Sequence, residues 1–143
     1  MIGKYVNDMR SFNRFYTGIL GLLNTHILES RFSLPEVRIL YELYHNNNHT
    51  ARHIIDILHI DKGLLSRMLV KFEKEKLIAK IRSSDDKRAV LLSLTKKGIA
   101  EFEILNKASN DQVMQLFKNL DDQKLTRLTH HMKEIQRILS AIK

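Results

Sequence analysis

The sequence contains no cysteine, which excludes disulfides, thiolate metal sites and thiol-based redox sensing on chemical grounds. One proline and five glycines in 143 residues are too few breakers for a loop-rich chain, so long helices with tight connections are expected. No run of about 18 apolar residues occurs, and Lys4 and Arg10 near the N-terminus are not followed by an apolar block with a small-residue cleavage site. This pattern predicts neither a membrane span nor an export signal, and a cytoplasmic location. Phosphate-binding glycine loops, a Gly-x-Ser-x-Gly elbow, a His-Glu-x-x-His pair and a dinucleotide fingerprint are all missing. Carboxylates such as Glu73, Glu75, Glu101 and Glu103 are scattered as helix-surface charge, so no enzyme is expected. The seven histidines do not change this: His45, His49 and His53 straddle an expected loop, and His130 and His131 point apart as neighbours on a helix. Neither a metal site nor a cofactor is expected.

What the chain does have is positive charge. Lysine and arginine number 24 against 16 acids, a net charge of +8, which suits a polyanionic partner, although a basic surface also fits membranes or simple solubility. A hydrophobic content of 43% allows a real core, as one domain or as two lobes sharing a core.

Both ends carry helical seams. From about residue 4 to residue 30, Tyr5, Met9, Phe12, Tyr16, Ile19 and Leu23 recur at steps of four and three, and Phe15, Leu20 and Leu22 widen the apolar face. Near the C-terminus, Leu125, Leu128, Met132, Ile135, Leu139 and Ile142 do the same. Such seams pack either on the protein's own core or across a two-fold axis on a second copy; seams at both ends favour the second arrangement.

Between them, Ser33-Leu34-Pro35-Glu36 reads as a capping box opening a helix over 34–45. The polar stretch HNNNH, residues 45–49, then predicts a turn. Thr50 caps a short helix with Ala51, Ile54, Ile55 and Leu58 inward. Asp61 caps another with Leu65, Met68, Leu69 and Phe72 inward and Lys62, Gly63, Ser66, Arg67, Val70 and Lys74 outward. Two short helices joined by a tight turn, the second basic on its outer face, form a helix-turn-helix arrangement, though any amphipathic pair with a solvated face shows the same pattern. Downstream, Ala79–Arg82 and Ala89–Leu94 flank Ser83-Ser84-Asp85-Asp86 as a two-stranded hairpin. Its tip is either an ordinary polar turn or a wing in which Asp86 accepts hydrogen bonds from Arg88 or from turn amides, aiming the arginine at a minor groove.

The stretch HIDKGLLSRMLVKFEKEKLIAKIRSSDDKRAVLLSLTKKG, residues 59–98, resembles the MarR family of bacterial regulators. Ser66-Arg67 is similar to that family's Ser/Thr-Arg step, Asp86-Lys87-Arg88 to its Asp-x-Arg wing, and Leu94-Thr95 with Gly98 to its Leu-Thr-x-x-Gly helix entry. The segments RSFNRFYTGILGLL and RFSLPEVRILYELYH further resemble the regulatory half of MarR–GNAT acetyltransferase fusions, but no acetyl-CoA loop is present and a single domain is expected. Three positions depart from the family pattern: Lys76 for glycine, Lys80 for arginine and Phe72 for leucine. A left-handed cap at Lys76 would cost about 1 kcal/mol.

The resemblance implies a mainly α fold with a small β-hairpin wing. A winged helix-turn-helix lobe over 33–98 would be flanked by long dimerisation helices, 1–32 and 99–143. It implies a homodimer acting as a transcriptional regulator, expected to repress, on a pseudo-palindromic operator in double-stranded DNA, with half-sites about 34 Å apart. Regulation would come from a small-molecule effector bound between the dimer region and the lobe; Phe12, Tyr16, Tyr41 and Tyr44 form either an aromatic pocket for it or ordinary core. By position, Thr50 and Arg52 are expected at phosphates, and Lys62, Ser66 and Arg67 at base edges or nearby phosphates. Gly63 would allow close backbone approach, Lys71, Arg82 and Lys87 would meet phosphates, Arg88 would enter the minor groove, and Asp86 would hold it. The alternative is a winged-helix module whose apolar helices capture another protein and which does not bind DNA.

Overall fold

Side-chain caps set the helix starts. The Ser33 hydroxyl accepts from the Glu36 amide while the Glu36 carboxylate accepts from the Ser33 amide, Thr50 accepts from His53, and Asp61 accepts from Leu64, as the sequence predicts. Thr95 and Asp121 cap the last two long helices in the same way. The structure, a computed structural model, describes residues 1–46 and 48–142. The elements run α1 (Gly3–Leu23), α2 (Thr25–Glu29), α3 (Leu34–His45), β1 (His49–Thr50), α4 (Ala51–Leu58), α5 (Lys62–Lys74), β2 (Ile78–Arg82), β3 (Val90–Leu94), α6 (Lys96–Phe117) and α7 (Asp122–Leu139). A short 3-10 turn, Ser140–Ile142, follows.

The single helix expected over residues 4–30 is two. Asn24 leaves helical geometry at φ −100° and ψ 7°, and the Thr25 hydroxyl turns back to the Gly21 and Leu22 carbonyls. A Thr hydroxyl bonded to carbonyls three and four residues back perturbs the helical ladder, and apolar periodicity does not reveal it.

The wing is a three-stranded antiparallel sheet in the order β1-β3-β2, not a two-stranded hairpin. β3 pairs Ile78 with Leu94 through Arg82 with Val90 on one edge, and His49 with Leu92 and Thr50 with Leu91 on the other. The turn read over 45–49 thus gives up His49 to a strand, while Asn47 lies outside the described residues.

The core is assembled from α3 through the first turns of α6. Ile39, Leu40 and Leu43 meet Ile54, Leu65, Phe72, Leu77 and Leu92, all buried; Leu65, Met68, Leu69 and Phe72 are the inward face expected for α5. Phe32, Phe102 and Leu105, which flank the 33–98 lobe in sequence, join the same core.

Gly98 locks the lobe to α6: a Cβ there would stand 2.1 Å from the Leu77 carbonyl oxygen. That carbonyl also receives the Thr95 amide at 3.0 Å. The approach is so close because α5 ends in a tight left-handed cap. Leu77 N–H reaches the Phe72 carbonyl at 2.8 Å and Lys76 N–H that of Glu73 at 3.0 Å, with Lys76 at φ 62°. The departure from glycine at position 76 therefore falls at a left-handed residue, where a side chain carries the expected penalty.

By contrast, α1 and α7 bury no residue fully. Met9, Phe12, Phe15 and Leu22 on α1 and Ile135, Ile138, Leu139 and Ile142 at the C-terminal end are exposed, a concentration of apolar surface that soluble monomers avoid. No helix among the described residues is long and apolar enough to cross a membrane.

Candidate nucleic-acid interface

The amino ends of α4 and α5 open onto one cavity of about 420 Å³, with Arg52, Asp56, Lys62 and Ser66 among its walls. Each helix start carries backbone amides without helical partners and a partial positive charge. Arg52 makes an i, i+4 contact with Asp56 at 3.4 Å, but both side chains are largely solvated, so the pair is weak and the guanidinium stays available. Lys62, Gly63, Ser66 and Arg67 are all exposed on α5, as is Val70. A Cβ on Gly63 would sit 3.1 Å from Asp61 Oδ2 and 3.7 Å from the Arg67 guanidinium, so glycine leaves room beside that arginine.

Lys71 sits elsewhere than expected. Its ammonium is bonded to Glu36 Oε1 at 2.8 Å instead of standing free for a phosphate. Burial opposes ionisation of Glu36, but the bonds from Lys71 and the Ser33 amide prevail and hold its carboxyl below the ordinary value. Sequence reading found Glu36 only as a cap; a contact across 35 positions leaves no local signal.

At the wing, Asp86 Oδ1 accepts from the Arg88 amide at 2.9 Å, the turn-amide alternative of the two expected. The Ser83 hydroxyl accepts from the Asp85 and Asp86 amides, and Ser83 N–H reaches the Ala89 carbonyl at 3.0 Å. These bonds fix the turn and leave the Lys87 and Arg88 side chains exposed, with Arg82 at the adjoining end of β2. Lys62, Arg67, Arg82, Lys87 and Arg88 have no carboxylate within 4.0 Å among the described residues, whereas Arg31, Lys71, Lys80 and Lys97 are each paired with one.

The C-terminal end of α5 joins a network the sequence did not disclose. Arg31 joins Glu75 at 2.6 Å and also Glu101, its guanidinium lying over the Phe32 ring, while Lys97 donates to the Glu75 carbonyl at 2.9 Å. It ties the C-terminal end of α5 to the α2–α3 junction and to α6. The four aromatic candidates separate into two pairs: Phe12 and Tyr16 stack on α1, whereas Tyr41 and Tyr44 pack on Phe102.

Residues 32–90 match the model of the MarR family. Over those residues the winged-helix lobe is similar to the MarR family. A relative over 89 residues is the organic hydroperoxide resistance transcriptional regulator of Bacillus subtilis, 32% identical, with 62% of this chain aligned to 56% of that one; the chain spans little more than half of that relative. A MarR family protein from Bacillus stearothermophilus superposes with a TM-score of 0.83 at 13% identity, over 98% of this chain and 99% of that one. Streptococcus pneumoniae FabT in complex with DNA superposes with a TM-score of 0.79 at 20% identity, covering 94% and 99%. At these identities the superpositions establish the MarR fold, α1 and α7 included.

Proposed function

We propose that this protein is a transcriptional regulator that binds double-stranded DNA as a homodimer, with α5 of each lobe in the major groove and the wing along the neighbouring minor groove. The observation that carries the reading is exposed positive charge on two adjoining elements: Lys62 and Arg67 on α5, and Arg82, Lys87 and Arg88 at the wing, none of them within 4.0 Å of a carboxylate among the described residues. Relatives support it, since one is named a transcriptional regulator and one structural neighbour holds DNA.

In this reading Thr50 and Arg52 meet phosphates at the start of α4, Lys62, Ser66 and Arg67 face base edges with Gly63 allowing close approach, Arg82 and Lys87 meet phosphates, and Arg88, set by Asp86, enters the minor groove. Lys71 acts through Glu36, holding the recognition helix. The open apolar seams of α1 and α7 fit a second copy, which would set two lobes on a pseudo-palindromic operator in the cytoplasm and repress by occupying it. A cavity of about 290 Å³ between α2 and α6, walled by His26, Phe32 and Leu105 and bordered by Arg31, is where a small effector would change the lobe's seating.

Light scattering with an anisotropy titration against random and A·T-rich duplexes tests this. A dimer that binds duplex DNA is expected; a DNA-indifferent monomer would favour capture of another protein.

A further inference from the structure

Two imidazoles meet where α4 begins. His49 on β1 and His53 in the first turn of α4 stack with ring centroids 4.2 Å apart and planes 18° from parallel. His53 is exposed, whereas His49 is half-buried, its Nε2 enclosed without a hydrogen-bond partner among the described residues. Burial, then the neighbouring His53, holds His49 below the usual histidine range, with Glu42 of α3 pulling the other way.

The inner ring is therefore kept neutral, and its aromatic face favours a cation stacked on it. A second proton on the pair meets both the burial of His49 and like-charge repulsion between the rings, so the pair is suited to a single positive charge. The surroundings leave that charge room to act. On α4, Arg52 and Asp56 largely offset each other; α5 brings Lys62 to the same cavity; α3 brings Glu42 toward His49. The residues of β3 paired with β1, Leu91 and Leu92, carry no charge, and His45 is bonded to the Tyr41 carbonyl. The His53 amide is the donor that Thr50 caps, at 3.1 Å, which places this ring at the same helix end as Thr50 and Arg52.

We propose that the His49–His53 pair takes up one proton when the lobe docks on a nucleic-acid backbone, which makes His53 a phosphate contact whose strength depends on pH. The proposal rests on the DNA-binding reading above. Linkage fixes its sign: a site that gains a proton in the complex strengthens binding as pH falls through the imidazole range.

The test is anisotropy titration of the full chain with a labelled A·T-rich duplex between about pH 6 and about pH 8.5 at fixed ionic strength, a span that brackets imidazole titration. Wild type is expected to bind more tightly at the acid end, with a slope of roughly half to one proton per lobe. His53→Gln completes a capping box with Thr50 and so should fold; it should lose that part of the slope and converge with wild type at the alkaline end. His53→Lys should bind across the range as wild type does at the acid end. His49→Phe, which retains an aromatic face, should keep the uptake, and His49→Ala should reduce it. A His53→Gln slope equal to that of wild type overturns the proposal and leaves DNA binding standing. No binding by wild type at any pH overturns the DNA-binding reading and this proposal with it.

Discussion

Lys71 Nζ lies 2.8 Å from Glu36 Oε1, so α3 and α5 are pinned together through a carboxylate that is 7% exposed as a residue. Lys71→Met would strand that carboxylate. The expected loss is about 1 to 2 kcal/mol, less than for a fully buried pair because Lys71 is partly solvated. Urea unfolding measures it, and the DNA affinity of the variant should fall with little change in salt slope, since no phosphate contact is removed.

The same pair predicts an acid dependence. The Glu36 carboxyl is held below its ordinary value, so the stability it contributes is present above the unfolded-state value of 4.5 and is lost as pH falls through the lower folded value. Urea midpoints measured through that window should fall toward acid in wild type and fall less in Glu36→Gln; parallel curves would exclude Glu36 as a source of the dependence.

Gly98→Ala would drive a methyl group to 2.1 Å from the Leu77 carbonyl oxygen, a backbone atom held by the Thr95 amide. A destabilisation at or above the upper end of the usual overpacking range, about 1 to 3 kcal/mol, is expected in thermal unfolding. Nearby, Lys76→Gly relieves a left-handed side chain and should add about 1 kcal/mol in the same assay.

These positions also show what a sequence discloses. Caps such as Ser33, Thr50 and Asp61 act within three residues, and the inward face of α5 repeats with the helical period, so both were readable. The Asp86–Arg88 turn was readable for the same reason. Glu36 with Lys71 and Arg31 with Glu75 and Glu101 depend on distant segments meeting, and nothing local marks them. The strand at His49–Thr50 is two residues long and exists because β3 offers it an edge. The first helix breaks at Asn24, beside the back-bonding Thr25 hydroxyl, a feature that hydrophobic spacing does not register.

Removing a cation from the interface should separate binding from folding. Arg67→Ala is expected to cost roughly 1 to 3 kcal/mol of operator affinity if the guanidinium reads a guanine, with unfolding unchanged because the side chain is exposed. Arg88→Ala should weaken binding preferentially on A·T-rich wing sites, where the minor groove is narrow. With about four phosphates per lobe, log affinity of the dimer should fall against log salt with a slope around −7, and a flat response would contradict phosphate contacts.

The most direct measurement of the central claim is the sequence recovered when the protein selects tight-binding duplexes from a random pool. The proposed homodimer, with two identical lobes joined through α1 and α7, predicts an inverted repeat whose half-sites are centred about one helical turn apart. A pool that gains no motif, or one unrepeated half-site, would contradict it.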